Sequence, residues 1–352
     1  MNLYSNPHIF FLIQESKIIL WDYEAHLQYE LSEDEFFLLK NYQQNLGSPK
    51  LKTFIDANIL SYEPYKKLNW AWDELSKIFF IGTRNIIPLN NDNARDFSKS
   101  YIQGCKDLEI NLDQKSYKNI ITLPKANLDL ISNKQYLNVL LSRMTSRVFK
   151  EDMYVSLNEL SLFLFLSFGY VHGEWDEFSK KGFKKLTFRK TTPAAGGLHH
   201  CEAYILVYNV EGLDAAIYKY IPEKHGLYKC SEIIFHRELI EILSGQFFIK
   251  NICFGVFITA NLEKLMNKYH HSEVLRSAYV DVGALVQTAQ LNSAVLGLES
   301  FITGAFHEES ICKILNIVDI KKSPLFFIGI GYGARQAIPD EFVKVIDDVK
   351  SQ

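Results

Sequence analysis

Cysteine is scarce in this chain of 352 residues. The five present (Cys105, Cys201, Cys230, Cys253 and Cys312) are an odd number with no Cys-x-x-Cys pair. That pattern excludes a disulfide scaffold and a cysteine-built zinc site, and it fits reduced thiols in a cytoplasmic protein. No apolar run reaches the roughly 18 residues of a membrane-spanning helix, and Met1 to Pro7 lack the basic-then-apolar order of a secretory signal. The expectation is a cytoplasmic protein with no membrane partner. Charge is nearly balanced, with 38 Lys+Arg against 41 Asp+Glu and a net −3. The densest basic cluster, Lys180, Lys181, Lys184, Lys185, Arg189 and Lys190, reads as a solvated face or as positive potential beside an anionic ligand. Nucleic acid is therefore not an expected partner. His199-His200 and His270-His271 are adjacent pairs whose side chains point apart on a strand or helix. With no His-x-x-x-His spacing, no metal is expected. Internal repeats and low-complexity tracts are absent.

What is abundant is apolar and aromatic residue, 47% and 14% of the chain, enough for a sizeable core. The length exceeds one ordinary core, so two domains are expected. Residues 1–90 read as a small winged-helix-like unit: strands over 8–13, 17–22 and 28–31, a helix capped by Ser32 through residue 42, and further helices over 49–58 and 70–80. Residues 91–136 read as a linker or surface excursion, polar and aperiodic over 90–118. The larger domain spans 137–352. Helices are expected over 137–149 and 156–168, the second with Ser156 and Glu159 as a capping box and Gly169 as its stop. Strands are expected over 203–210, 215–220, 227–229, 253–259 and 324–330. The longest helix, 272–296, is apolar on most of its circumference and so is buried in a core or at a subunit interface; 337–349 reads as an amphipathic tail.

The stretch 193–204, Pro-Ala-Ala-Gly-Gly-Leu-His-His-Cys-Glu-Ala-Tyr, puts a glycine-containing turn directly before a strand. Glycine tolerates positive φ and lets backbone approach a flat ligand; on its residues alone the turn suits any such ligand, or none. Arg143-Met-Thr145-Ser-Arg147-Val-Phe149 offers two arginines and hydroxyls, which suit a phosphate or a solvated, salt-bridged surface. Gly329-Ile-Gly-Tyr-Gly-Ala-Arg335 follows a strand, but no βαβ unit or ribose-binding acid can follow it, so a dinucleotide-binding reading fails.

Taken in order, five segments over about 137–335 resemble the nitroreductase superfamily, in its SagB-like branch of FMN-dependent azoline dehydrogenases. The 193–204 stretch resembles that branch's flavin-facing Pro-Ser-Ala-Gly-Ala-Arg-His-Pro-x-Glu-x-Tyr loop. Pro193, Ala195, Gly196, His199, Glu202 and Tyr204 match it, while Ala194, Gly197, Leu198 and His200 depart from it. Arg143 to Phe149 resembles the first flavin motif, with Thr145 in place of serine. Lys268-Tyr269 lies just ahead of the long helix, as a catalytic Lys-Tyr pair does in that branch. Gly297 to Phe306 resembles a segment whose glycine, here Gly304, sits beside the isoalloxazine, with Glu299 in place of a small residue.

The resemblance implies an α+β fold with a mixed, largely antiparallel sheet and surrounding helices, and a homodimer with FMN at the interface. It implies Pro193, Ala194, Ala195, Gly196 and Gly304 near the flavin ring, and Arg143, Thr145, Arg147 and Arg335 near its ribityl phosphate. Lys268 and Tyr269 would be catalytic. The implied reaction is oxidation of thiazoline or oxazoline rings in a ribosomally made peptide to thiazole or oxazole, hydride passing to flavin N5 and oxygen regenerating FMN. The implied partners are a precursor peptide, whose leader the N-terminal domain binds as an added strand, and a cyclodehydratase. The alternative keeps FMN and reverses direction, as an NAD(P)H-dependent reductase of nitro, quinone or dehydroamino-acid substrates. A DNA-binding winged helix with a sensing domain is disfavoured, since only Lys50, Lys52, Lys66 and Lys67 lie nearby.

Overall fold

The computed structural model describes residues 2–65, 74–82, 119–125, 136–172, 177, 180–182, 188–269, 273–319 and 321–340. The polar stretch 90–118, residues 341–349 of the expected tail, Lys66, Lys67, Lys184, Lys185, His270 and His271 lie outside them. The chain divides into two compact units, Met1–Leu89 and Asn90–Gln352.

In the first unit β1 (Tyr4–Ser5) precedes β2 (Ile9–Gln14), β3 (Lys17–Asp22) and β4 (Leu27–Leu31), which form an antiparallel sheet in that order. Helix α1 (Glu33–Lys40) opens on a capping box: the Ser32 hydroxyl accepts from the Glu35 backbone N–H and the Glu35 carboxylate accepts from the Ser32 N–H at 2.8 Å. It stops two residues earlier than periodicity suggests, and residues 42–44 make a separate 3-10 turn. Then follow α2 (Leu51–Asp56), β5 (Leu60–Ser61), which pairs with β1, and α3 (Glu74–Gly82). Leu20, Leu31, Leu39, Phe54 and Leu60 are the centre of this unit's own core.

The second unit contains β6 (Ile121–Thr122), α4 (Tyr136–Ser142) and α5 (Leu157–Phe168), then β7 (Cys201–Val207), β8 (Ala216–Ile221), β9 (Gly226–Glu232) and α6 (His236–Ile242). It continues with β10 (Phe254–Asn261), α7 (Leu262–Lys268), α8 (Val274–Val295), β11 (Glu299–Thr303), α9 (Glu308–Ile314) and β12 (Lys322–Gly331). Among the described residues, seven strands form one sheet in the order β11-β12-β10-β7-β8-β9-β6, and every named pair is antiparallel. Among the described residues, parallel pairing is confined to two isolated bridges, Thr145 to Ser300 and Val155 to Val210.

Strand alternation feeds two cores. Val256 and Ile258 of β10 pack with Phe163 of α5 and Leu285, Val286 and Ala289 of α8. Phe257 points to the other face, among Leu239 of α6, Ile311 of α9 and Phe327 of β12. Burying each such side chain contributes roughly 1.5–3 kcal/mol before conformational entropy is counted. Ser156 and Glu159 form the expected capping box on α5, and Gly169 ends it where an added Cβ would meet the Phe165 carbonyl at 2.6 Å. No helix among the described residues is long and apolar enough to cross a membrane.

The expected helix over 137–149 is corrected by the structure: α4 ends at Ser142 and the chain then runs extended. Ser146 N–H donates to the Ser300 carbonyl at 3.0 Å, Arg147 N–H to that of Gln336 at 3.0 Å and Lys150 N–H to that of Tyr332 at 2.8 Å. These bonds to the ends of β11 and β12 replace intrahelical ones, and β-branched Thr145 and Val148 favour the extended backbone. Residues 299–303 form a strand that the glycine-rich reading of that segment did not include.

Candidate functional site

The register of the sheet brings three chain segments to one end. Cys201, where β7 begins, lies opposite Ala260, near the end of β10, and Ala260 lies opposite Ser323, near the start of β12. At this end α7 carries Lys268 back to the loop before β7. Lys268 is 6% exposed, and its Nζ donates to the Gly196 carbonyl at 3.0 Å while lying 5.6 Å from the centroid of the Tyr269 ring. Gly196 and Gly197 have φ of 55° and 67°. The first has no room for a side chain: a Cβ there would be 2.7 Å from Lys268 Nζ and would collide with the Tyr269 hydroxyl. A Cβ on Gly197 would lie 3.0 Å from the Arg189 guanidinium carbon. The Lys268-Tyr269 pair and Gly196, distant from it in sequence, are thus in contact, and Ala195 is next to them. Thr303 closes β11 at the same end, and Gly304 follows it; a Cβ added there would lie 3.4 Å from the Phe326 ring.

Behind the loop lies a polar interior whose assembly around Asp281 sequence reasoning did not foresee. Asp281 of α8 accepts a hydrogen bond from the Ala195 backbone N–H at 2.8 Å. His200 Nδ1 is 3.3 Å from the same Oδ2, within ion-pair range but not aligned as a hydrogen bond. Burial, aided by Lys264 and Lys190, lowers His200 to about 4, and burial, aided by Lys190 and Arg189, lowers His199 to about 3. Both imidazoles are therefore neutral at neutral pH. Burial raises the Asp281 carboxyl, an effect opposed by the Ala195 N–H, and lowers Lys190 to about 8 with Lys264 adding to the effect. A cavity of about 10 Å³, room for about one water, opens among Lys190, Thr192, Ala194, His199, His200 and Asp281. The available signal was that Arg276 and Asp281 are the only charged residues in the 22 residues of α8.

The arginine-bearing segments meet at the opposite end of the sheet. Arg147 N–H bonds the Gln336 carbonyl and Ala334 N–H bonds that of Val148, each at 3.0 Å, so Arg147 and Arg335 lie on neighbouring backbone segments. Arg147 Nη1 donates to the Ala337 carbonyl at 2.8 Å, and its guanidinium lies 5.6 Å over the Phe248 ring. Thr145 bridges Ser300, and Gln290 of α8 donates to the Thr145 and Ser300 hydroxyls at 3.5 and 3.3 Å. Glu299 holds this turn: its Oε2 accepts from the Arg335 N–H at 3.1 Å, and its carboxylate fills the space beside Gly333. The acid that departs from the family pattern thus braces the backbone of Arg335, at a φ of 54°.

The chain belongs to the nitroreductase family, whose model matches residues 140–332. It is 30% identical over 194 residues to MJ1384 of Methanocaldococcus jannaschii, a protein named among the nitroreductases, covering 55% of this chain and 89% of that one. The fold is shared with a nitroreductase-class protein of Ralstonia eutropha JMP134 at 19% identity and a TM-score of 0.50, over 63% of this chain and 93% of that one. It is also similar to a chain of the E. coli microcin synthetase McbBCD complex with truncated pro-MccB17 bound, at 17% identity and a TM-score of 0.46, over 73% and 91% of the two chains. This chain is accordingly a flavin-dependent oxidoreductase, with FMN as its cofactor. The donor set fits that group: arginines and a threonine hydroxyl at one end suit a phosphate, and a side-chain-free glycine turn at the other suits a planar ring.

Proposed function

We propose that this chain oxidises thiazoline or oxazoline rings in a ribosomally made, modified peptide to thiazole or oxazole. The supporting observation is the convergence of Lys268 and Tyr269 on Gly196, the residue at the heart of the loop that resembles the flavin-facing loop of azoline dehydrogenases. Pro193, Ala194, Ala195 and Gly196 would lie along the ring of FMN with Gly304 nearby. Arg143, Thr145, Arg147 and Arg335 would hold its phosphate and ribityl chain. Helix α8 gives the scale: Asp281 touches Ala195 and Gln290 touches Thr145. At 1.5 Å rise per residue these positions are about 13 Å apart along the axis, a span suited to a ribityl chain between ring and phosphate.

Aromatisation removes a proton from one ring carbon and a hydride from its neighbour, leaving a double bond between them. Bound FMN supplies the two-electron acceptor, which dioxygen renews with formation of hydrogen peroxide. Lys268 or Tyr269 takes or steers the proton, and the Gly196 carbonyl orients the lysine for that task. The decisive experiment adds a thiazoline-containing peptide to the protein without oxygen and follows the flavin absorbance. Bleaching by the peptide alone is expected. A band that persists until NAD(P)H is added would overturn the reading in favour of a reductase of nitro, quinone or dehydroamino-acid substrates.

The partner readings extend from the same proposal. Leu137 and Leu141 of α4, 60% and 76% exposed, and Tyr279 and Val280 of α8 leave apolar surface that a second copy would cover, giving a homodimer. The first unit serves as a winged-helix-like recognition module for a leader peptide. Its strand β2 pairs only with β3 among the described residues, so its other edge is open to an added strand. A cyclodehydratase would supply the azoline.

A further inference from the structure

We infer that Asp281 is the positioning residue of the 193–197 loop, holding the Ala195–Gly196 backbone so that the Gly196 carbonyl faces Lys268. The inference rests on the reading of that loop as the one beside FMN. The single carboxylate of α8, buried in the fold, is costly unless it is hydrogen-bonded. Here the bond goes neither to a lysine nor to an arginine but to a backbone amide, Ala195 N–H at 2.8 Å, 86 residues away in sequence. The next residue along carries the carbonyl that Lys268 Nζ grips at 3.0 Å. The two bonds therefore hold consecutive residues, one from α8 and one from the end of α7. His200, which closes the loop where β7 begins, lies 3.3 Å from the same Asp281 oxygen. Between these two points the chain passes through three left-handed residues, Gly196, Gly197 and His199 at φ of 55°, 67° and 44°. Such a conformation persists only where its surroundings hold it. Asp281, touching both ends, is placed to do that.

The roles of its neighbours follow. Ala194 and Ala195 have no side-chain polar group with which to fix the turn, so a distant carboxylate does so. Asparagine keeps an acceptor oxygen for the Ala195 N–H, whereas alanine keeps nothing.

The test compares wild type, Asp281→Asn and Asp281→Ala at saturating FMN by hydrogen exchange resolved to the Ala195 amide. It is joined by FMN titration and the visible circular dichroism of the bound flavin. Expected are a protected Ala195 amide in wild type and D281N and a freely exchanging one in D281A. The FMN Kd should rise at least tenfold in D281A and stay within threefold in D281N, with an altered flavin dichroism in D281A alone. An Ala195 amide that exchanges as fast in wild type as in D281A overturns the inference, as does equal loss of FMN affinity in both variants. Loss of protection in D281A with unchanged Kd and dichroism overturns instead the placement of the loop beside FMN. Should D281A not fold, Asp281→Ser, too short to reach the amide, carries the same comparison.

Discussion

Lys268 Nζ donates a hydrogen bond to the carbonyl oxygen of Gly196 at 3.0 Å, across 72 residues of sequence. The contact joins the end of α7 to the turn before β7 and buries the lysine beside the Tyr269 ring. It makes one constellation out of a pair and a loop that local sequence presents separately.

Replacing Lys268 with alanine is expected to lower turnover of a thiazoline peptide by 10²- to 10⁴-fold, the range for a lost proton-transfer group. Bound FMN per chain should be unchanged. Steady-state oxygen uptake together with flavin absorbance of the purified variant checks both halves. Turnover near wild type would remove lysine from the reaction.

Gly196→Ala combines two costs. Its φ of 55° strains any L-residue, and its Cβ would lie 2.7 Å from Lys268 Nζ. The backbone strain alone amounts to roughly 1–2 kcal/mol. Urea denaturation should report a loss of at least that size, and turnover should fall further than stability does because the lysine is displaced. A variant with unchanged midpoint and activity would contradict the described turn.

Arg143→Ala and Arg147→Ala are expected to weaken FMN binding about tenfold or more each, since a charged hydrogen bond is worth about 1.5–3 kcal/mol. Riboflavin, which lacks the phosphate, provides the control. Its affinity should change little in Arg143→Ala, and raising salt should weaken FMN more than riboflavin. Equal losses for both ligands would place the phosphate elsewhere. Arg147 also holds the Ala337 carbonyl at 2.8 Å, so its variant should additionally loosen the segment after β12.

Acid should destabilise the second unit through His199 and His200. Their folded values, about 3 and about 4, lie below the ordinary 6.5, so the unfolded chain binds more protons between those limits. Stability is thus fully present above about pH 6.5 and declines as pH falls. At pH 5 each histidine should cost on the order of 1–2 kcal/mol relative to pH 7.5. Asp281, raised by burial, works in the opposite direction just above its ordinary value of 3.8. Urea midpoints at the two pH values test this, with His199→Gln and His200→Gln flattening the dependence. An unchanged slope in the double variant would assign acid sensitivity to other groups.

Much of the fold is legible in short segments because its determinants act within a few residues. The Ser156–Glu159 box predicts the start of α5 and Gly169 its end; alternation predicts 17–22, the same six residues that form β3. The flavin-family motifs are equally local, and their order along the chain pointed to the nitroreductase fold before any strand was paired. Residues 143–149 mark the boundary of this legibility. Their helical periodicity is real, yet backbone bonds to Ser300, Tyr332 and Gln336 take precedence, and those partners lie more than 150 residues away.

The sequence by itself determined most of the helices and strands, the caps of α1 and α5, and the residue types able to hold a phosphate or move a proton. Only the tertiary structure decided which of them meet: Asp281 with Ala195, Glu299 with Arg335, Lys268 with Gly196. The reason is physical. Caps and periodicity follow from bonds a few residues apart, whereas the partner of a buried carboxylate or ammonium depends on sheet register and helix packing, which no local pattern encodes.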